Sequence, residues 1–411
     1  MKKIVFYFIF FILPVIVFLV IFFRKLKGQT THLTSSARAG RPLMKKKILS
    51  FVLCALLLCP CPARGKDTFQ RCLFVTVLQD PPVLSSRQEI ERLIDFAKRA
   101  RIDVLFVQIY RSNQSWFAST IADPSPYEDA LNHLSEDPLK ILMGQAHEAG
   151  IRVYAWLNML SLGDNKDARL LQKYGPEILT RNRKEKKRLQ DYRIDSQYFL
   201  EPGDPRVRRE LAGIVEEVLA AYPELDGILF DYIRYPDPSP DYGYTQMNME
   251  RFQQATGRKA VEKSDKAWQD WKRAQVAELL RELVEKSRTM RPGIGVAATG
   301  CAPYIRAYAE AFQDWPSWLN AGVVDFVTFM SYSPDAEEFE RFVRDAKTKV
   351  SDFAKVMVGV PAYKLAVSPW VFARQLRFSR ESGSGGFCVF HYGSLQDHPA
   401  LARAVIGTHN P

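Results

Sequence analysis

The chain has 411 residues, 47% of them hydrophobic, and a formal charge of +11. Its 57 Lys and Arg face 46 Asp and Glu, but the first 65 residues hold eleven of the basic side chains and none of the acidic ones. The rest of the chain is therefore charge-balanced and has no overall field to concentrate a polyanion, which excludes nucleic acid as the expected partner.

Two export-like signals stand in tandem at the N-terminus. Residues 4–23, IVFYFIFFILPVIVFLVIFF, are about 20 apolar residues between Lys2-Lys3 and the basic RKLK, the length that spans a bilayer. From Met44, MKKKILSFVLCALLLCPCPARG repeats a basic start and a short apolar run, and it ends in the small residues Ala63 and Gly65, a cleavage pattern. Met44 is the expected start, with residues 1–43 as an upstream extension; a membrane anchor is the alternative. Cys59 and Cys61 do not read as lipidation sites, because Leu58 and Pro60 before them are not small. The chain divides into a signal or membrane segment, 1–65, and one domain, 66–411. That domain is expected outside the cytoplasm, whether periplasmic, secreted or anchored, and touches a membrane only through the N-terminal segment.

Six cysteines fall to three after residue 65: Cys72, Cys301 and Cys388. An odd, scattered set predicts no disulfide framework, and they read as small buried hydrophobes. His133, His147, His391, His398 and His409 show no HxxxH or HExxH spacing, so neither a metal nor another cofactor is expected.

From residue 71, short β-branched or aromatic runs alternate with longer amphipathic segments, the signature of strand-helix units on a parallel sheet. The runs are RCLFVTV (71–77), IDVLFVQIY (102–110), IRVYAWLNM (151–159), DGILFDYI (226–233), GIGVAATG (293–300), VDFVTFMSY (324–332), KVMVGVPAY (355–363) and GGFCVFHYG (385–393). Eight units, with no glycine-rich dinucleotide fingerprint after the first strand, predict a closed (β/α)8 TIM barrel. Helices are legible at 87–100, 137–150 and 204–222, the last with Asp204 as N-cap and Pro205 at its first position. A fourth helix over 264–290 places Trp268, Trp271 and Leu279 to Leu283 on a buried stripe. The connections 160–203 and 233–246 are long and follow strands, where barrels build their functional face. The run RNRKEKKR inside the first reads as a solvated loop tip.

The fourth run, DGILFDYIRYP, begins and ends in a carboxylate. At about 3.3 Å per residue, Asp226 and Asp231 stand roughly 16 Å apart, at opposite ends of the barrel. Asp103, Asp226 and Asp325 each open a strand and read as structural bonds to backbone amides at the bottom face. Asp231 falls at the C-terminal mouth, and alternation puts it on one face with Gly227 and Leu229, pointing inward. A structural ion pair with Arg234 or another base is the competing reading. The same placement gathers Gln108, Tyr110 and Arg111, Trp156 and Asn158, Tyr232, Arg234 and Tyr235, Met330 and Tyr332, Tyr363, and His391 and Tyr392 at the rim. Aromatic faces beside amide and hydroxyl donors suit a sugar, so a polysaccharide or oligosaccharide is the expected partner.

DGILFDYIRYP, AHEAGIRVYAWLNM, EPGDPRVRREL, QDWPSWLNAGVVDFVTFMSY and GGFCVFHYG, in this order, resemble the bacterial glycosyl hydrolase-like family 10 proteins over about residues 71–395. The resemblance implies an exported (β/α)8 glycosidase with Asp231 as the acid ending the fourth strand. Many members carry two adjacent acids there, whereas this chain has Asp231-Tyr232. Glycoside hydrolysis normally uses two carboxyl groups. Glu201 in FLEPGDP is the first choice for the second; Asp314 looks like an N-cap, and Asp237 and Asp241 look like turn residues. Family 18 chitinases offer a partial match in Asp226, Asp231, Met330 and Tyr332. Leu229, Ile233 and Ser333 replace that family's acids, including its proton donor, so an ordinary chitinase is not expected. The expected function is hydrolysis of a glycan, with an N-acetylhexosamine polymer or cell-wall glycan as candidate substrates. A glycan-binding barrel without catalysis is the alternative.

Overall fold

A computed structural model describes residues 69–258, 261 and 264–408. The readings for residues 1–65 lie outside the described residues. No helix among the described residues is long and apolar enough to cross a membrane.

The strands in chain order are β1 (Gln70–Val75), β2 (Val104–Arg111), β3 (Gln114–Ser115), β4 (Arg152–Asn158), β5 (Ser161–Gly163), β6 (Tyr198–Phe199), β7 (Gly227–Asp231), β8 (Gly295–Cys301), β9 (Phe326–Met330), β10 (Val356–Pro361) and β11 (Gly386–Phe390). Eight of them pair in parallel in the order β1-β11-β10-β9-β8-β7-β4-β2, and β1 also pairs β2, which closes the sheet into the (β/α)8 TIM barrel. All eight runs read as strands supply its staves. β3 forms a hairpin with β2, and β5 pairs antiparallel with β6 inside the long connection after β4.

Alternation divides the strand residues between two cores. Cys72, Phe74, Phe106, Tyr154, Trp156, Leu229, Ala297, Met357 and Cys388 pack together inside the barrel. Their sequence neighbours, such as Leu73, Val107, Leu157, Phe230 and Val358, pack in the larger cluster that includes the helices. Tyr154 fills the barrel interior: a Cβ added at Gly227 or Gly295 would lie 2.2 Å from its ring or hydroxyl. Those two strand positions are glycine because an aromatic side chain already occupies their space.

The three strand-opening aspartates act as read from the sequence. Asp103 accepts the Arg71 amide (2.8 Å), Asp226 the Val153 amide (2.7 Å) and Asp325 the Val296 amide (2.8 Å). Each carboxylate thus ties the start of one strand to its neighbour, away from the mouth. Cys72, Cys301 and Cys388 are free and buried.

The helices form where expected, at Arg87–Arg99, Pro138–Glu148, Pro205–Ala221 and Lys266–Met290. Asp204 caps its helix by accepting the Arg206 amide at 2.8 Å. Trp268, Leu279, Leu280 and Leu283 are buried, while Trp271 is partly exposed. Asp314 stands before a short helix without a side-chain cap and accepts the Tyr304 hydroxyl instead, at 2.8 Å.

Candidate functional site

A cleft of about 850 Å³ opens at the C-terminal ends of the barrel strands. Asp231, the last residue of β7, stands on it beside Trp156 and Asn158 of β4 and Tyr332 just after β9. The inward parity of Leu229 carries Asp231 to the same side, and the chain then bends. Tyr232 adopts a left-handed backbone (φ 56°) that a non-glycine residue takes only at some cost, and its amide donates to Asp231 Oδ1 at 2.7 Å. Thr299 of β8 donates to the same oxygen at 2.6 Å, and the Trp156 indole donates to Oδ2 at 3.0 Å. Asp231 is only 5% exposed and makes no ion pair among the described residues, so its three donors fix its rotamer without neutralising it. The competing reading, a pair with Arg234, fails because that guanidinium is bound to Asp237 at 3.1 Å.

Aromatic rings wall the cleft. Phe390 of β11 packs against Trp156 (5.9 Å between centroids), Tyr332 (5.3 Å) and Tyr363 (5.6 Å). Burial pushes the Tyr332 hydroxyl far above its ordinary range, so it is a neutral donor, and it has no hydrogen-bond partner among the described residues. The His391 imidazole is held below its usual value by burial, and its Nδ1 is likewise unpaired. A deep carboxylate, stacking surfaces and unspent donors are the components a sugar ring and its hydroxyls require.

Of the rim residues read from the sequence, Arg111, Trp156, Asn158, Tyr232, Arg234, Met330, Tyr332, Tyr363 and His391 line this cleft, together with Asp231. Gln108 does not. It is fully buried, accepts the Thr76 hydroxyl at 2.9 Å and donates to Asn158 at 3.2 Å, so it reaches the cleft through those two lining residues.

Tyr110 is a correction. Alternation would put it inside with Gln108, but the β2–β4 register slips between them: Gln108 faces Trp156 and Tyr110 faces Leu157. One extra residue inverts the parity, and Tyr110 is buried in the outer core with its hydroxyl beside Asn113. Tyr392 is also a correction, for another reason: it opens the helix Tyr392–Asp397 beyond the strand and is buried against Phe96 with centroids 5.6 Å apart. Tyr235 is fully buried and gives its hydroxyl to Glu201.

Glu201, expected as the second carboxyl, does not line the cleft either. It is fully buried, accepts the Tyr235 hydroxyl and the Gly203 amide (3.3 Å), and burial pushes its carboxyl up to about 7. Its role is to hold the two long connections together. Near it, the Gly243 amide donates to Thr180 (3.0 Å) and Arg181 donates to the Tyr244 carbonyl (3.0 Å).

Sequence reasoning missed several lining residues. Phe390 lines the cleft and shares the inward parity of Cys388, and Thr299, buried beneath it as a donor to Asp231, shares that of Ala297, so alternation alone could have found both. Asp237 was read as a turn residue but lines the cleft, clamped between Arg234 and Arg306. Burial opposes its charge, yet those two guanidiniums hold its carboxyl below the usual range. Glu338 of the helix Ala336–Lys347 also lines the cleft; it accepts the Ser333 hydroxyl at 2.8 Å and pairs with Arg341 at 3.0 Å. Among the described residues no three His, Cys, Asp or Glu side chains converge as metal ligands.

Comparison with known proteins agrees with this architecture. The glycosyl hydrolase DigH of Escherichia coli K12 is 23% identical over 270 residues, which cover 61% of this chain and 58% of DigH. The chain thus spans a little over half the length of that relative. The glycoside hydrolase domain of PgaB (BpsB) from Bordetella bronchiseptica superposes with a TM-score of 0.63 at 18% identity, covering 82% of this chain and 98% of that domain. The catalytic domain of the Paenibacillus polymyxa beta-amylase superposes with a TM-score of 0.53 at 14% identity, covering 84% and 99%. At such identities these likenesses show the barrel and no more. The family model described as glycosyl hydrolase-like 10 matches residues 71–375, and the chain belongs to that family.

Proposed function

We propose that the protein is an exported glycoside hydrolase that cleaves a polysaccharide, with an N-acetylhexosamine-containing or cell-wall glycan as its substrate class. Asp231 is the carboxylate that takes part in proton transfer or attack at the glycosidic bond. The observation that supports this most is the setting of Asp231 itself, a buried carboxylate held by Trp156, Thr299 and the Tyr232 amide in an aromatic cleft. Pre-set hydrogen bonds hold the acid in one geometry, and the rings bind sugar faces while excluding water. Export rests on the basic and apolar segments before residue 65.

A second reading, a glycan-binding barrel without turnover, draws on the other carboxylates lining the cleft. Asp237 is engaged by two guanidiniums and Glu338 by Arg341 and Ser333. One experiment separates the two. Wild type and Asp231→Asn are assayed for reducing-end release and for binding on bacterial cell-wall glycan and on poly-N-acetylhexosamine. Turnover by wild type that disappears in the variant, with binding kept, upholds the hydrolase; binding without turnover by wild type upholds the binding module.

A further inference from the structure

We propose that Cys72 and Cys388 form a disulfide site: on oxidation their sulfurs join across the seam where the first and last staves of the barrel meet, and the hydrogen-bonded closure becomes a covalent one. The inference is independent of the glycan reading. It needs only an oxidising compartment, which the export reading supplies.

Spacing in the sequence hides the pair, because the two cysteines come from opposite ends of the domain. The sheet register brings them together. β1 and β11 run parallel with Cys72 opposite Cys388, and both side chains point into the barrel, where neither is exposed. Neighbouring strands lie about 4.7–4.9 Å apart, within the Cα separation of roughly 4.4–6.8 Å that a disulfide spans. A barrel is concave on its inner face, so inward side chains of adjacent staves converge. Phe74 and Phe390, one inward position further along the same two strands, show that convergence, with centroids 5.4 Å apart. One position back the backbones crowd as well: a Cβ at Gly386 would lie 2.2 Å from the Gln70 carbonyl oxygen. The two thiols already hydrogen-bond each other, so rotation of the side chains, without movement of the strands, brings sulfur onto sulfur. Cys301 stands opposite Met330 of β9 and has no such partner in register.

The bond forms by exchange with a disulfide-bearing oxidant such as oxidised glutathione. The thiolate of one cysteine attacks the oxidant's disulfide and expels one thiolate. The second cysteine gives up its proton, attacks the mixed disulfide and expels the other. The chain thereby loses two protons and two electrons, and the oxidant is reduced to two thiols. In the closed barrel the pair lies beneath Phe74 and Phe390, out of an oxidant's reach, and burial pushes the Cys388 thiol well above its ordinary range, which leaves little thiolate to react. Exchange therefore takes place while the seam is still open to solvent during folding. Once closed, the barrel shields the finished bond from reductants by the same burial.

The test starts from the full chain, unfolded and reduced, then refolded in mild detergent with a mixture of reduced and oxidised glutathione. Free thiols are blocked in denaturant, and the unreduced peptides are mapped by mass spectrometry. The expected product links the Cys72 peptide to the Cys388 peptide, with Cys301 blocked. Its urea midpoint should exceed that of chain refolded in reductant by about 0.5 M or more. Reductant should cleave the link at least about tenfold more slowly in the native protein than in urea. Cys388→Ala should lack the linked peptide and unfold at one midpoint in both buffers. Three results overturn the proposal: Cys72 and Cys388 both blocked, links scattered among the six cysteines, or a linked chain whose midpoint equals that of the reduced one. The peptide map and the midpoints are read on wild type, so the outcome does not depend on the variant folding.

Discussion

The Trp156 indole nitrogen donates to Asp231 Oδ2 from 3.0 Å, while the same indole packs edge-on against Phe74 with centroids 5.0 Å apart. One side chain therefore joins the barrel interior to the acid at its mouth. Trp156→Phe keeps most of the packing and deletes the donor. The loss of a hydrogen bond to a charged group, roughly 1.5–3 kcal/mol, should lower kcat about ten- to a hundredfold with an unchanged far-ultraviolet circular dichroism spectrum. Thr299→Val, which removes the 2.6 Å bond to the other oxygen, should act in the same direction. Steady-state kinetics on a hydrolysed glycan checks both.

The two aspartates of β7's run provide an internal control. Asp226 binds the Val153 amide and His147 (2.8 Å) at the far end of the barrel, whereas Asp231 stands on the cleft. Asp226→Ala should destabilise the fold by about 1–3 kcal/mol, since it leaves a strand amide unpaired, while kcat stays near wild type at temperatures where the protein remains folded. Asp231→Asn should do the reverse. Urea unfolding and activity, measured side by side, give the contrast.

Glu201 makes stability pH-dependent. Its carboxyl is pushed up to about 7 by burial, against an ordinary 4.5. The folded state therefore holds this proton more tightly than the unfolded chain does. The contribution is fully present below about pH 4.5 and is lost as pH rises through about 7. Glu201→Gln should flatten that part of the stability curve, which amounts to roughly 3 kcal/mol at most. Chemical unfolding at pH 5 and pH 8 measures it; equal slopes in wild type and variant would count against the assignment.

Gly295 and Tyr154 make a steric pair. A Cβ at Gly295 would sit 2.2 Å from the Tyr154 hydroxyl, so Gly295→Ala should cost about 1–3 kcal/mol through overpacking. Tyr154→Phe removes the clashing oxygen, and the double variant should recover part of the loss. A double-mutant cycle by thermal or urea unfolding reads the coupling.

The barrel was legible because eight apolar runs carry the period of two that a stave needs, and aspartates mark where three of them begin. Asp231, Trp156 and Tyr332 were placed by that same parity. It failed where the backbone broke step. The slip after Gln108 turned Tyr110 outward, and no residue type in QIYRSN announces it. The tight turn at Ser112–Asn113 lacks the glycine that usually signals such a hairpin. Glu201 misled for another reason. A carboxylate in a long loop reads as functional, but here the loop folds back on a second loop and buries it. Thr299, which bonds Asp231, and Phe390, which lines the cleft, were overlooked only because neither looks chemically active, although their parity was as plain as that of Asp231.

On the proposed function, Tyr154, wedged inside the barrel below the cleft and against Gly227 and Gly295, also sets how a polymer can be handled. Beneath the cleft the barrel interior is filled by Phe74, Phe106, Tyr154, Trp156, Leu229 and Met357. A long chain must therefore be laid across the rim with one segment dipping inward, and both fragments of any cut have to depart by the side from which they arrived.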